Sequence, residues 1–248
     1  RADKAMGTTV TLPVKEQAEE FAAAQQLSIA CCGDSHTRGG FPQELQQQLQ
    51  RAYPSVAWRV LNFGNCGATA SRTARAYGAS VAFKQSLASA ADVVTLMLGT
   101  NDAHKVYWSE RGFVESVTSL VKQIQHSDRP PLILLGVPPP LYHRGHAMSS
   151  MLKQQVVNRE LPRLIPQLAE ELKVAYFDAF SALGGARLQR PDAMLADGVH
   201  LNQVGRQILG QVVADAVLVH KGLVVQDSPR SSNSSDSPRS FWPELLNL

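Results

Sequence analysis

Several short groups of residues in this sequence combine the residue types that nucleophilic attack on a carbonyl carbon requires. Gly33-Asp34-Ser35 closes a short apolar run, and a serine held at a sharp turn after a strand is a candidate nucleophile. Asp197 and His200 stand three residues apart on a turn before a helical stretch. At this spacing the carboxylate can bind the Nδ1 proton of the imidazole, which leaves Nε2 to deprotonate a hydroxyl. The pattern predicts a catalytic triad of Ser35, His200 and Asp197.

Two further residues are candidates for an oxyanion hole, the set of donors that binds the negative charge developing on a carbonyl oxygen during acyl transfer. Gly67 lies in a glycine-punctuated loop and can present its N–H with no side chain in the way. Asn101 follows another apolar run and offers a side-chain amide. Asp34 is expected to support the turn through hydrogen bonds rather than to act in the chemistry.

These residues need elements that bring them to one place. Short apolar runs predict five strands, at 27–32, 57–63, 92–98, 132–137 and 174–177. Stretches with helical spacing or many alanines predict helices at 15–26, 44–53, 113–125, 151–172 and 203–219. Pro162 and Pro166 are expected to kink or divide the fourth helix, and Asn202 to cap the last one.

Strands that alternate with helices indicate a parallel sheet with helices on both faces. We predict a single three-layer α/β/α domain of the flavodoxin-like type with a five-stranded parallel sheet. In such folds ligands bind at the carboxyl ends of the strands. Each candidate residue follows a predicted strand, so all of them are expected at this edge of the sheet.

Size and composition set the outer limits. A chain of 248 residues with 44% hydrophobic residues suits one medium-sized domain. We expect an N-terminal extension over 1–26, the domain over 27–225, and a polar linker with an apolar tail over 226–248. The tail either docks on the domain or on another subunit, or stays disordered. The net charge of +3 comes without a block of Lys or Arg, which argues against nucleic-acid binding. No apolar run reaches the roughly 18 residues of a membrane span.

The cysteines and the paired histidines argue against a metal site. Cys31, Cys32 and Cys66 lack metal-ligand spacing and are expected to be small buried residues. A Cys32–Cys66 disulfide stays open, although an odd count argues against an extracellular disulfide framework. His143 and His146 have no cysteine or acidic cluster beside them. The sequence leaves the cellular compartment open.

Taken in order, the four groups resemble the blocks of the SGNH hydrolases, also called the GDSL esterase/lipase superfamily. The similar stretches lie at 33–35, 62–69, 99–102 and 197–200. The resemblance spans residues 28–202. It implies that Ser35 is the nucleophile and donates its own N–H to the oxyanion, together with Gly67 and the Asn101 amide. It also implies that Asp197 and His200 complete the triad, with no cofactor or metal.

One departure from the family pattern bears on the substrate. His36 stands where the family's name-giving residue is leucine, and this leaves the acceptor side of the pocket open. Adjacent side chains on an extended turn usually diverge, so we expect His36 to contact substrate rather than to replace His200 as the base. The loop at 138–147 is a natural recognition element or lid. The other predicted substrate contacts are Tyr107, Trp108, Tyr142 and His143.

The residues and the resemblance together favour hydrolysis of a carboxylic ester through a covalent acyl-serine. The third and last blocks look most like family branches that remove acetyl groups from sugars. The leading hypothesis is an O-acetylesterase for acetylated carbohydrate or another small ester, and the alternative is a lipolytic esterase or thioesterase for longer acyl chains. Two non-enzymatic hypotheses are a catalytically silent glycan-binding module and a scaffold that acts through the apolar tail.

Overall fold

A five-stranded sheet forms the centre of the molecule. The structure is a computed structural model that describes residues 26–127, 129–142 and 145–223. The strand order is β2-β1-β3-β4-β5, and all neighbouring strands are parallel. The strands are β1 (Gln26–Gly33), β2 (Ala57–Gly64), β3 (Val93–Met97), β4 (Leu132–Val137) and β5 (Ala175–Asp178). The predicted five-stranded parallel α/β fold is confirmed.

Helices make the crossovers that parallel strands require. The α-helices are α1 (Ser35–Arg38), α2 (Phe41–Ala52), α3 (Val81–Ala88), α4 (Glu110–Gln125), α5 (Ala147–Ser150), α6 (Leu161–Leu172), α7 (Ala179–Ala182) and α8 (Gln203–His220). Short 3₁₀ turns occur at Tyr77–Ala79, Gly185–Arg187 and Pro191–Ala193, and a π-helical turn at Val156–Glu160 leads into α6. The predicted cap of the last helix is confirmed, because the Asn202 Oδ1 accepts the Gly205 N–H at 3.1 Å.

Two hydrophobic cores, one on each face of the sheet, make the domain three-layered. Successive side chains of a strand point to opposite faces, and β3 is buried throughout. Val94 and Leu96 therefore belong to one core, with the apolar faces of α4 and α6. Val93 and Met97 belong to the other, with α2 and α8.

The carboxyl ends of β1, β2 and β3 lie level with one another. Gly33 at the end of β1 pairs in register with Gly64 on one side and Met97 on the other. The Asn65 N–H then donates to the Gly33 carbonyl at 2.9 Å. The loops that follow these three strands therefore start from a common edge.

The fourth predicted helix is divided in the structure. In place of one segment over 151–172, a π-helical turn precedes an α-helix that starts at Leu161. Pro162 lies just after the π-helical turn and Pro166 lies inside α6, and each proline lacks the N–H that a regular helical turn uses. The expected kink or division takes the form of this change from π-helical to α-helical geometry.

Several other expectations fall partly or wholly outside the described residues. Of the predicted helix over 15–26, the structure describes only Gln26, which is the first residue of β1. The tail at 226–248 lies outside the described residues, so its docking stays a prediction. All three cysteines are free, so the structure does not contain a Cys32–Cys66 disulfide. Cys31 and Cys32 are buried as expected, whereas the expectation of burial is wrong for Cys66, which is exposed. In the described part of the chain, no helix has the length and apolarity to cross a membrane.

Candidate active site

Ser35 is the first residue of α1, directly after β1. Asp34 caps this helix, since its Oδ1 accepts the His36 N–H at 2.9 Å. The turn is tight: a β-carbon at Gly33 would meet the Thr37 side chain and the Met97 carbonyl oxygen. Only a residue without a side chain fits there, and this glycine lets the chain turn at once and hold the half-buried Ser35 at the edge of the sheet.

His200 and Asp197 lie on the turn that precedes α8. The His200 Nδ1 is 2.6 Å from the Asp197 Oδ2, and the His200 Nε2 is 3.0 Å from the Ser35 Oγ. The other Asp197 oxygen accepts the N–H groups of Val199 and His200, each at 2.9 Å. An ionised carboxylate only accepts, so the proton lies on Nδ1 and the Nε2 lone pair faces the serine.

The electrostatics of Asp197 suit this arrangement. Partial burial acts to raise the pKa of Asp197, but the hydrogen bonds from the His200 ring and from the His200 and Val199 N–H groups outweigh it. The net effect lowers the pKa below its ordinary value. Asp197 is therefore ionised at neutral pH and stabilises a proton on the imidazole.

The two predicted oxyanion donors lie on adjoining loops. Gly67 has a φ of +74°, a conformation that L side chains rarely adopt. The Asn101 side-chain nitrogen donates to the Ala68 carbonyl at 3.0 Å and to the Asp34 Oδ2 at 3.3 Å. Asn101 thereby joins the residue after Gly67 to the residue before Ser35. The structure thus places Asn101 between the loops that carry Gly67 and Ser35, and the role of these three residues as oxyanion donors stays a prediction.

A second buried carboxyl, Asp102, holds the loop after Gly67, and the sequence reasoning did not assign it a role. Its two oxygens accept the N–H groups of Ala70 and Ser71 at 2.9 and 2.8 Å. Burial raises its pKa, against the lowering effect of these hydrogen bonds. In the sequence, the position of Asp102 directly after Asn101 could have indicated this role, since an acid beside a candidate oxyanion donor can fix the neighbouring loop.

Burial also raises the pKa of Asp34, to about 7, although the His36 N–H acts in the opposite direction. Asp34 is 1% exposed, and its carboxyl oxygens accept hydrogen bonds from the His36 N–H and from the Asn101 amide. It positions the turn and the Asn101 amide, in agreement with its expected supporting role.

The structure corrects two of the expected substrate contacts. His36 is 4% exposed, and its ring lies 6.0 Å from that of His200, between centroids. Tyr142 is also 4% exposed, and its hydroxyl donates to the Leu183 carbonyl and accepts the Arg190 N–H. Both side chains are held beneath the surface by packing, so neither presents a face to a bound molecule.

Of the remaining candidates, Tyr107 is 54% exposed and stacks on His104. Trp108 is half-buried, and its indole N–H donates to a Glu160 carboxylate oxygen at 2.8 Å. Both lie past Asn101 in the same loop, and their contact with substrate stays a prediction. His143 lies outside the described residues. Within the described part of the chain, no group of three or more His, Cys, Asp or Glu is placed to hold a metal ion.

This fold and site agree with comparisons to known proteins. A model of the GDSL-like lipase/acylhydrolase family matches residues 28–208. The chain belongs to this family, and the matched domain is that of an ester hydrolase.

One protein of similar sequence and two of similar structure are esterases. The chain is 25% identical over 219 residues to an acetylxylan esterase of Xylanibacter ruminicola, a match that covers 77% of this chain but only 43% of that protein. An aryl esterase of M. smegmatis superposes with a TM-score of 0.65 at 25% identity, over 80% of this chain and 100% of that one. A carbohydrate acetylesterase from Sinorhizobium meliloti superposes with a TM-score of 0.61 at 23% identity, over 78% of this chain and 99% of that one, which supports the fold.

Proposed function

We propose that this protein hydrolyses carboxylic esters through a covalent acyl-serine, and that its substrates are O-acetylated carbohydrates or other small acetate esters. The observation that carries the reaction is the hydrogen-bonded series from Ser35 Oγ through the His200 imidazole to the Asp197 carboxylate. The substrate class is supported by the acetylxylan esterase relative. The alternative of a longer acyl chain is an outcome of the test below.

The first half-reaction acylates the serine. His200 Nε2 accepts the Ser35 proton as Oγ attacks the carbonyl carbon, and the carbonyl π electrons move to the oxygen. The N–H groups of Ser35 and Gly67 and the Asn101 amide donate to this oxyanion. When the carbonyl re-forms, the alkoxide leaves and takes the proton from His200, so that the alcohol departs neutral.

The second half-reaction returns the free enzyme. His200 accepts a proton from water as the water oxygen attacks the acyl carbon, and the second oxyanion uses the same donors. Collapse breaks the bond to Ser35 Oγ, which regains its proton from His200. Asp197 stays ionised throughout and stabilises the imidazolium formed in both halves.

Hydrolysis of p-nitrophenyl esters from acetate to palmitate tests the reaction and the acyl length together. We expect the highest kcat/KM on acetate, and a loss on the order of 10⁴-fold or more in Ser35→Ala, because the nucleophile is removed. Ser119→Ala, at an exposed position of α4, is the matched control and should keep full activity. Unchanged activity in Ser35→Ala would exclude the mechanism, and a maximum at eight carbons or more would exclude acetate as the preferred acyl group.

A further inference from the structure

The side chain of Arg75 crosses the face of Gly67. A β-carbon at Gly67 would meet the Arg75 Nη1, with Cδ and Cζ each at 3.5 Å. The backbone of Arg75 is fixed, since its carbonyl accepts the Thr69 N–H at 3.1 Å and its N–H donates to the Thr73 hydroxyl at 3.0 Å. The missing side chain of Gly67 thus makes room for a guanidinium as well as exposing an N–H. Arg75 lies at the rim of the site, beside a predicted oxyanion donor.

This guanidinium is exposed, and no acidic side chain in the part of the chain that the structure describes pairs with it. Across residues 26–127, 129–142 and 145–223, the ion pairs involve other side chains and none includes Arg75. Two buried acids on the adjoining loops already accept other hydrogen bonds. Asp34 accepts from His36 and Asn101, and Asp102 from Ala70 and Ser71.

The surrounding sequence has the same charge bias. Residues 45–91, which include β2 and the whole Gly67 loop, contain four Arg and one Lys but no Asp or Glu. Over the entire chain the excess of Lys and Arg over Asp and Glu is only three. The positive charge is therefore concentrated on the segment that forms this side of the site. A local excess of one sign favours ligands of the opposite sign.

We propose that Arg75 is a specificity-determining residue that binds a carboxylate on the substrate, close to the ester that is cleaved. This inference rests on the proposed ester hydrolysis and narrows its substrate class to esters that carry an acidic group, such as an acetylated sugar acid. The planar guanidinium fork matches the two oxygens of a carboxylate. Because the site is open to solvent, the attraction is modest and falls with added salt.

Two acetate esters that differ in charge provide the test. The probes are 3-acetoxybenzoate and its neutral counterpart 3-acetoxybenzamide, each corrected for its own rate of hydroxide-catalysed hydrolysis. We expect kcat/KM to favour the anionic ester in the wild-type protein, and the ratio to fall about tenfold in Arg75→Gln. Arg72→Gln, at an exposed position of the same loop, is the control and should leave the ratio unchanged. Raising the salt concentration should lower the ratio in the wild type only.

The outcomes separate this inference from the proposed function. A ratio that is the same in wild type and Arg75→Gln would overturn the role of Arg75, whereas activity on p-nitrophenyl acetate that depends on Ser35 would still support ester hydrolysis. An equal fall of kcat/KM on both esters in Arg75→Gln would be one such result, and it would mean that Arg75 acts on the oxyanion or on the loop. A wild-type protein inactive on all acetate esters would contradict the proposed function itself.

Discussion

Two buried carboxyl groups hold the candidate site residues in position. Asp34 and Asp102 hold no reacting atom, yet they fix the turn before Ser35, the Asn101 amide and the backbone after Gly67. Such groups cost free energy to bury and are retained where their hydrogen bonds are satisfied. These hydrogen bonds hold the loops that carry the proposed oxyanion donors, and electrostatic stabilisation of a transition state requires donors that are fixed in this way.

Asn101→Ala should slow the chemical step. Removing one oxyanion donor typically costs about 2.7–4 kcal/mol in the barrier, so we expect kcat on p-nitrophenyl acetate to fall about 10²- to 10³-fold with a much smaller change in KM. Steady-state kinetics measure both parameters, and circular dichroism with thermal unfolding checks that the variant is folded. A change confined to KM would show that Asn101 binds the ground state rather than the oxyanion.

His36 is expected to make the protein less stable, increasingly so in acid. Its two ring nitrogens are buried and have no hydrogen-bond partner among the residues that the structure describes. Burial lowers its pKa to about 3, and the neighbouring His200 acts in the same direction while Asp197 opposes it. An unfolded histidine binds a proton below about pH 6.5. Between that pH and 3 the unfolded chain therefore holds a proton that the native state lacks, and stability is lost as the pH falls.

The prediction is that His36→Leu is more stable than wild type by about 1 kcal/mol at pH 8, because two unpaired polar atoms are removed. The difference should then grow by up to about 1.4 kcal/mol per pH unit below 6.5. Guanidinium unfolding at pH 8, 6 and 5 measures it. The raised pKa of Asp34 changes stability in the opposite sense over pH 4–7, but it is common to both proteins and cancels in the difference. The exposed His126→Leu is the control, and a pH-independent difference for His36→Leu would contradict the prediction.

At the scale of elements, the close approach of α1 to the end of β2 sets the geometry of the site. A β-carbon on Gly64 would lie 2.6 Å from the Arg38 Cα and 2.8 Å from the Thr37 backbone carbon. Both are backbone atoms of the helix that starts at Ser35, so this clash can be relieved only if the helix moves. The close approach of these two backbones therefore places Ser35 together with the Asp34 cap.

Gly64→Ala should therefore displace α1. We expect a loss of about 1–3 kcal/mol in the free energy of unfolding, as for overpacked sites, together with a fall in kcat/KM as Ser35 moves away from His200. Gly112→Ala is the matched control. It lies in α4, its β-carbon would have only ordinary contacts with Ser109, and alanine favours a helix. A Gly64→Ala variant with full stability and activity would show that the helix adjusts freely.

Helices and strands with a strong hydrophobic pattern could be predicted from the sequence, whereas elements that form because of tertiary contacts could not. All five strands could be predicted from apolar runs, and the cap of the last helix from Asn202. The four-residue helix α1 has no periodicity of its own, and it forms because Asp34 caps it and β2 packs against it. The π-helical turn before α6 was not predictable either, since Pro162 marks a division without specifying its geometry.

The same distinction holds within the site. The triad and the oxyanion candidates could be predicted because their residue types and order carry the chemistry. The burial of His36 and Tyr142 could not, because exposure depends on elements far away in the chain. Tyr142 is covered through hydrogen bonds to Leu183 and Arg190, and no local pattern around residue 142 announces those partners.

At the scale of the whole molecule, the two cores differ from the surface in the reactivity of their thiols. Cys31 and Cys32 are buried in opposite cores, and burial raises the pKa of both, whereas Cys66 is exposed. Thiolate is the reactive form. We expect Ellman's reagent to modify one thiol rapidly in the native protein and three after denaturation in guanidinium chloride. Cys66→Ser should abolish the rapid reaction, and a native protein with no reactive thiol would point to a Cys32–Cys66 disulfide.

The contact between Ser35 and His200 spans 165 residues of sequence. Within the domain, the serine leaves the ribosome well before its base. A nascent chain that still lacks His200 cannot be active, because the sheet must assemble before Ser35 and His200 meet. Long-range contacts of this kind form late and slowly. Esterase activity would therefore appear only when folding is complete. In a cell-free synthesis reaction, the delay before activity appears would measure the time that the domain needs to finish folding.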